Sequence, residues 1–140
     1  DEETMRIVIN QLAAKADVVL PGIGECKILT ETENKKEAAD FYQKLGVKTV
    51  IIKDGSKGAY VQTEGGHYDV AGYKVDKVVD TVGAGDGFAV GVLSGILEGL
   101  DLQTSVKRGN AIGAIQVMNI GDNEGLPTPE ELKAFQEKNR

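Results

Sequence analysis

Apolar residues recur first at near-helical spacing. Met5, Val8, Ile9, Leu12 and Ala16 place an amphipathic helix at the start of the chain. The period then changes: DVVL, residues 17–20, is a short unbroken apolar run stopped by Pro21-Gly22, the pattern of a parallel strand buried on both faces. A short helix is predicted over 24–29. Asn34 can cap a helix running to about Leu45, with Ala38, Phe41, Tyr42 and Leu45 on one face and Gly46 as its terminator. VKTVIIKDG follows as a central strand by its β-branched content. GAYVQT, GHYDV and GYKV alternate over short lengths between glycines, which predicts a small antiparallel meander at the sheet edge. The last third reads as helical. One helix covers 86–100, Asp101 caps a second reaching about Met118, and Thr128-Pro129-Glu130-Glu131 supplies the N-cap, N1 proline and acidic first turn of a third. This alternation of helices and strands predicts an α/β layered fold with a mostly parallel sheet. There is no internal repeat, low-complexity tract or interdomain linker.

In the predicted helix beginning at Asp86, Gly87, Gly91 and Gly95 recur every four residues. One face is thereby smooth enough for a close neighbour, and Phe88, Val92, Leu93, Ile96 and Leu97 are expected to fill the core. At 140 residues and 41% apolar content the chain can bury one core and is read as one domain or part of one. It opens inside an amphipathic pattern with no methionine at position 1, so a piece of a longer product is expected. The net charge of −6 and the lack of a basic run argue against nucleic acid or an anionic membrane surface as partner. No signal peptide is evident, and no apolar run approaches the roughly 18 residues of a membrane span. The single cysteine, Cys26, cannot form an internal disulfide, and a reducing cytoplasm is the expected compartment. Cys26 has no Cys or His partner at metal-ligand spacing and is read as a small buried residue. His67, the only histidine, is expected on the surface of the meander.

The candidate chemistry lies in DTVGAGDGF, residues 80–88. Gly83-Ala84-Gly85-Asp86 sits where a loop enters a helix, so main-chain N–H groups there lack helical partners and the helix end carries partial positive charge. Glycines at 83 and 85 permit positive φ and let an anion approach the backbone; phosphate is a common anion so held. Asp86 can be a favourable first-turn acid and nothing more. Set beside an anion hole, however, a carboxylate can also accept the proton of an alcohol undergoing phosphorylation. KDGSKG, residues 53–58, offers a lysine and a glycine-rich turn suited to a polyphosphate, although a surface hairpin turn also accounts for it. On local grounds Glu25 is equally a solvated helix-start acid, and Asn110 an interhelical hydrogen bond.

DTVGAGDGF resembles the C-terminal signature D-T-x-G-A-G-D-x-F of the ribokinase-like (phosphofructokinase-B) carbohydrate kinases, matching every defined position. KDGSKG resembles the nucleotide-binding turn of that family, PGIGE its P-N-x-x-E segment, and GNAIGAIQVMNIGDNEGLP its adenine-side helix and closing loop. The resemblance covers essentially the whole chain. It implies the C-terminal half of a three-layer α/β/α sandwich, the nucleotide-binding and catalytic portion of the kinase, with the first strands, lid and most sugar contacts in the other half. It further implies that Asp86 is the general base and that Gly83, Ala84 and Gly85, with the Asp86 amide, form the anion hole for the γ-phosphoryl group of ATP. Lys53, Gly55, Ser56 and Gly58 would line the nucleotide, and Asn110 its adenine side. Glu25 would organise water around Mg²⁺. Asp80 and the Val82 carbonyl, with the loop around Gln116, Asn119, Gly121 and Gly125, would form a site for a monovalent cation such as K⁺. One departure stands out: Gly22 occupies the asparagine position of P-N-x-x-E. A carboxylate that holds a metal through water can act without the amide.

Within the family, PG-x-GE followed by ILT, and GDNEGLPT before the last helix, are most similar to 2-keto-3-deoxygluconate kinases, which phosphorylate the 6-hydroxyl of that sugar acid. Fructokinase or ribokinase-type specificity is the alternative. In another class, the 140 residues could be a non-catalytic nucleotide-binding module, since half a kinase can keep a phosphate surface without a sugar pocket. Half a sheet also leaves apolar area to be covered, so self-association as a homodimer is expected.

Overall fold

Asn34 caps a helix through its Oδ1, which accepts the Glu37 amide at 3.0 Å, and that helix buries Ala38, Ala39 and Tyr42. The computed structural model describes residues 1–121 and 124–140 and divides into two units, Asp1–Asp54 with Ala59–Asp69, and Gly55–Gly58 with Val70–Arg140. In chain order the elements are α1 (Glu2–Ala13), β1 (Val18–Val19), α2 (Ile23–Thr30), α3 (Lys35–Lys44), β2 (Thr49–Lys53), a 3₁₀ turn (Gly55–Lys57), β3 (Gly58–Thr63), β4 (Gly66–Ala71), α4 (Ala84–Leu97), α5 (Leu102–Gln116) and α6 (Pro129–Lys138). Among the described residues no helix is long and apolar enough to cross a membrane.

The strands form one sheet in the order β1-β2-β3-β4. β1 runs parallel to β2, with Val18 opposite Thr49, and β2 runs antiparallel to β3, with Ile51 opposite Val61. β2 has the interior place that its Val-Ile-Ile run predicts. In the first unit, α2 and α3 cover one face of the sheet and pack Cys26, Ala38, Ala39, Tyr42, Val50, Ile52 and Tyr60 into a core. Burial pushes the Cys26 thiol up to about 11, as befits a small apolar filler. Gln62 is also buried, and its amide is fully used: Oε1 accepts the Tyr60 hydroxyl at 2.7 Å, while Nε2 donates to Asp40 at 2.7 Å and Gln43 at 2.8 Å. His67 is exposed, its ring stacked 5.5 Å from that of Tyr60.

Two helix faces differ from the pattern reading. Leu45 follows the last residue of α3 and is exposed, and Ala39 takes the place expected of it in the core. α1 ends at Ala13, short of Ala16, and buries no residue. Ala13 packs against the core, and two polar bonds add to the tie: Arg6 Nε donates to the Ile28 carbonyl at 2.9 Å and Asn10 Nδ2 to the Leu29 carbonyl at 2.8 Å, satisfying acceptors in the last turn of α2.

In the second unit α4 and α5 pack closely through the predicted glycine stripe. Phe88 and Val92 are buried, but Leu93, Ile96 and Leu97 are exposed, Leu97 by 87%. Close packing on α5 uses the glycine face and its immediate flanks; these three lie off that face. Arg108 spans the pair, donating to Ser94 Oγ at 3.2 Å and Glu98 at 2.9 Å. Asp101 caps α5 through the Thr104 amide, and Thr128 with Glu131 forms a capping box on α6, as the sequence predicts. Phe135 of α6 meets Tyr73 with ring centroids 5.2 Å apart. The predicted third meander strand, GYKV, does not form. Asn110 takes the carbonyls of Val70 and Ala71, and the Gly72 amide turns to the Lys57 carbonyl, so the chain leaves the sheet there.

Candidate active site

Gly83 is the N-cap of α4 and adopts φ 77°, a left-handed conformation open to glycine, so the loop can turn sharply into the helix. Gly85 is already helical and does not need positive φ, contrary to the sequence reading. The first regular helical bond is from the Gly87 amide to the Gly83 carbonyl at 2.8 Å. The Ala84 amide makes only a long 3.4 Å bond to Thr81, and among the described residues the amides of Gly83, Gly85 and Asp86 meet no acceptor. Asp86 is the third helical residue, its carboxylate exposed. The tip of α4 thus presents free donors beside an accessible carboxylate, the two elements needed to stabilise a phosphoryl group and accept a proton.

Asp80 organises the turn before this tip. Its Oδ1 accepts the Val82 amide at 3.0 Å and its Oδ2 the Gly121 amide at 3.2 Å. These bonds, the one to Val82 foremost, hold its carboxyl below the usual carboxylate range. The Val79 and Asp80 amides both bond the Val117 carbonyl, joining this turn to the end of α5. On the other side, Gln116 Nε2 reaches the Gly121 carbonyl at 3.4 Å and Asn119 Nδ2 the Ile115 carbonyl at 2.9 Å. Gly125 packs so close that a Cβ there would lie 2.9 Å from Asn119 Cβ. The structure therefore brings Asp80, Val82, Gln116, Asn119, Gly121 and Gly125 together. Asp122 and Asn123 of the GDNEGLP segment lie outside the described residues. Asp80 carries the one formal charge among these six residues.

A second cluster in the same unit involves the glycine-rich turn. Gly58 has φ 103°, and a Cβ there would overlap the Val70 carbonyl and the Gly72 amide; a Cβ on Gly72 would lie 2.5 Å from the Ser56 carbonyl. The turn and the end of β4 cross backbone to backbone, and Asn110 Nδ2 secures the far side with two 3.1 Å bonds to Val70 and Ala71. Asn110 is buried and bonds a strand end, not another helix. Gly72 was not singled out in the sequence; a lone glycine after an alternating strand carries little signal without the crossing partner. Gly58→Ala combines an unfavourable φ with a backbone overlap and is expected to destabilise the chain by about 3 kcal/mol, seen as a lower urea midpoint at unchanged m.

Glu25 and Lys53 belong to the first unit. Lys53 ends β2, its amide bonded to the Pro21 carbonyl at 2.9 Å, with Gly22 bridging beside it. Both candidates thus lie toward the carboxyl ends of the parallel strands, where α/β sheets place ligands. Glu25 Oε2 accepts the Gly22 amide at 2.6 Å, so the carboxylate caps the start of α2. Gly22 has φ −80°, which any residue adopts, so its backbone does not demand glycine. Among the described residues no three His, Cys, Asp or Glu side chains gather to hold a metal. A Mg²⁺ held by water and the phosphates of its nucleotide does not need such a group.

The model of the pfkB family carbohydrate kinases matches residues 1–129. The 2-dehydro-3-deoxygluconokinase of Bacillus subtilis (strain 168) is 53% identical over 135 residues, covering 96% of this chain and 42% of that protein. The PfkB protein of Polaromonas sp. JS666 superposes with a TM-score of 0.81 at 46% identity, over 96% of this chain and 41% of that one. A putative ribokinase II of E. coli, solved in complex with ATP and Mg²⁺, gives 0.88 at 29% identity, over 97% and 44%. The chain belongs to the pfkB family of carbohydrate kinases, and its α/β fold is ribokinase-like. It spans about two-fifths of the length of these relatives.

Proposed function

We propose that these residues form the nucleotide-binding and catalytic portion of an ATP-dependent kinase for 2-keto-3-deoxygluconate, also called 2-dehydro-3-deoxygluconate, yielding the 6-phosphate. The observation that carries the catalytic reading is the tip of α4: an exposed Asp86 carboxylate next to amides that meet no acceptor among the described residues. Asp86 takes the proton of the 6-hydroxyl as its oxygen bonds to the γ-phosphorus, the bond to the bridging oxygen breaks, and ADP leaves. The amides of Gly83, Ala84, Gly85 and Asp86 carry the charge on the transferring group. Lys53, Gly55, Ser56 and Gly58 serve the nucleotide phosphates and Asn110 lies at the base. Glu25 would hold Mg²⁺, which when bound would neutralise phosphate charge. Asp80 and Val82, with Gln116, Asn119, Gly121 and Gly125, would hold a monovalent cation.

The choice of sugar acid rests on the 53% identity to the Bacillus subtilis enzyme. Ribokinase-type specificity is the second reading, favoured by the E. coli neighbour. The test is to assay the whole gene product carrying this sequence with ATP against 2-keto-3-deoxygluconate, fructose and ribose. The first is expected to give a kcat/KM at least about 100-fold above the others, since a site built to pair a carboxylate rejects sugars lacking it. A preference for ribose or fructose overturns the assignment. The 140 residues alone are expected to show no sugar phosphorylation.

A further inference from the structure

The first residue of α3 is a lysine. A cation in the first turn opposes the helix dipole, so helix stability does not explain Lys35 there. Its partner does. Lys35 Nζ lies 2.7 Å from Asp54 Oδ2, with the two side chains only 30% and 19% exposed. Asn34 fixes where α3 begins, Ala38, Ala39 and Tyr42 hold α3 in the core with β2, and β2 ends at Lys53. The ion pair is therefore set by packing on both sides.

Asp54 stands between Lys53 and Gly55, inside the segment assigned to the nucleotide phosphates. A bare carboxylate there has the wrong sign for a polyphosphate. We propose that Lys35 is a positioning residue for nucleotide binding: by neutralising and holding Asp54 it lets the Lys53–Gly58 segment accept the phosphates of ATP, without touching the nucleotide itself. The proposal rests on the reading of that segment as a nucleotide site. The resemblance that singled out Lys53, Gly55, Ser56 and Gly58 passes over both members of the pair.

The test measures the affinity of the whole gene product for ATP-Mg²⁺ by calorimetry at low and high salt, for wild type, Lys35→Ala, Asp54→Asn and the double variant. Lys35→Ala is expected to weaken binding about fivefold at low salt, the difference shrinking as salt screens the Asp54 charge. Asp54→Asn, which removes the repulsive charge, is expected to bind as tightly as wild type or more so, and adding it to Lys35→Ala is expected to restore affinity. Both the single lysine variant and the double lack the same ion pair, so a purely structural role would leave both weak. Unchanged binding by Lys35→Ala, or a double variant as weak as Lys35→Ala, overturns the proposal while the nucleotide site stands. Failure of the wild-type gene product to bind ATP-Mg²⁺ at all removes the nucleotide reading and this proposal with it.

Discussion

Asp86→Asn is expected to lower kcat of the whole gene product by about 10²–10⁴-fold while leaving its affinity for ATP within about twofold. Asparagine keeps the size of the side chain and its place in the first turn of α4, but it cannot take a proton at neutral pH. The amides at the tip of α4 are main chain and stay where Gly83 and the Gly87 bond put them. The same substitution also removes a favourable first-turn acid, a change of about 0.3–1 kcal/mol in stability. That difference in scale separates the two roles open to Asp86. If it is only a first-turn acid, the asparagine variant shifts the thermal midpoint slightly and turns over at a rate near wild type. If it is the base, single-turnover measurements show the chemical step itself slowed, with ATP binding intact.

Much of this site could be read from the sequence because its parts are local. A glycine-rich loop running into a helix fixes donors and carboxylate within four consecutive residues, and the structure turns at Gly83 as that pattern predicts, although the helix starts at Ala84 and takes in Gly85. Caps were legible for the same reason: Asn34, Asp101 and Thr128 each bond an amide three residues on. Contacts between distant segments were not. Nothing near Asp80 in sequence says that it binds the Gly121 amide, 41 residues away. Nor does any local pattern show that Gly72 crosses Ser56, or that Lys35 meets Asp54. The errors in the fold share one cause. Periodicity tells which residues are apolar, but not whether a partner is present to cover them, so Leu93, Ile96 and Leu97 do not enter the core the pattern predicts, and Leu45 on its helix face is exposed.

Gly91→Ala is expected to destabilise the chain by about 3 kcal/mol, lowering the thermal midpoint by about 10 °C. Helix propensity alone predicts the opposite sign, since alanine in place of an interior glycine gains roughly 1 kcal/mol. The geometry decides which term wins. A Cβ on Gly91 would lie 2.6 Å from Gly109 Cα, 2.7 Å from Gly109 N and 2.9 Å from the Arg108 carbonyl carbon. All three are backbone atoms of α5, so no side chain can rotate away and the helices themselves must separate. Gly113, on α5, provides the contrast: a Cβ there meets nothing closer than the Ala84 carbonyl at 3.4 Å. Gly113→Ala is accordingly expected to be neutral or to raise stability by up to about 1 kcal/mol. Equal stabilisation by both substitutions in urea unfolding would show that α4 and α5 do not cross this closely. The crossing bears on catalysis as well as stability. α4 carries Asp86 and the free amides at its tip, while α5 leads into the loop that bonds Asp80, so forcing the helices apart at Gly91 shifts those amides against their supporting turn. In the whole gene product, Gly91→Ala is therefore expected to lower kcat even at temperatures where the protein remains folded.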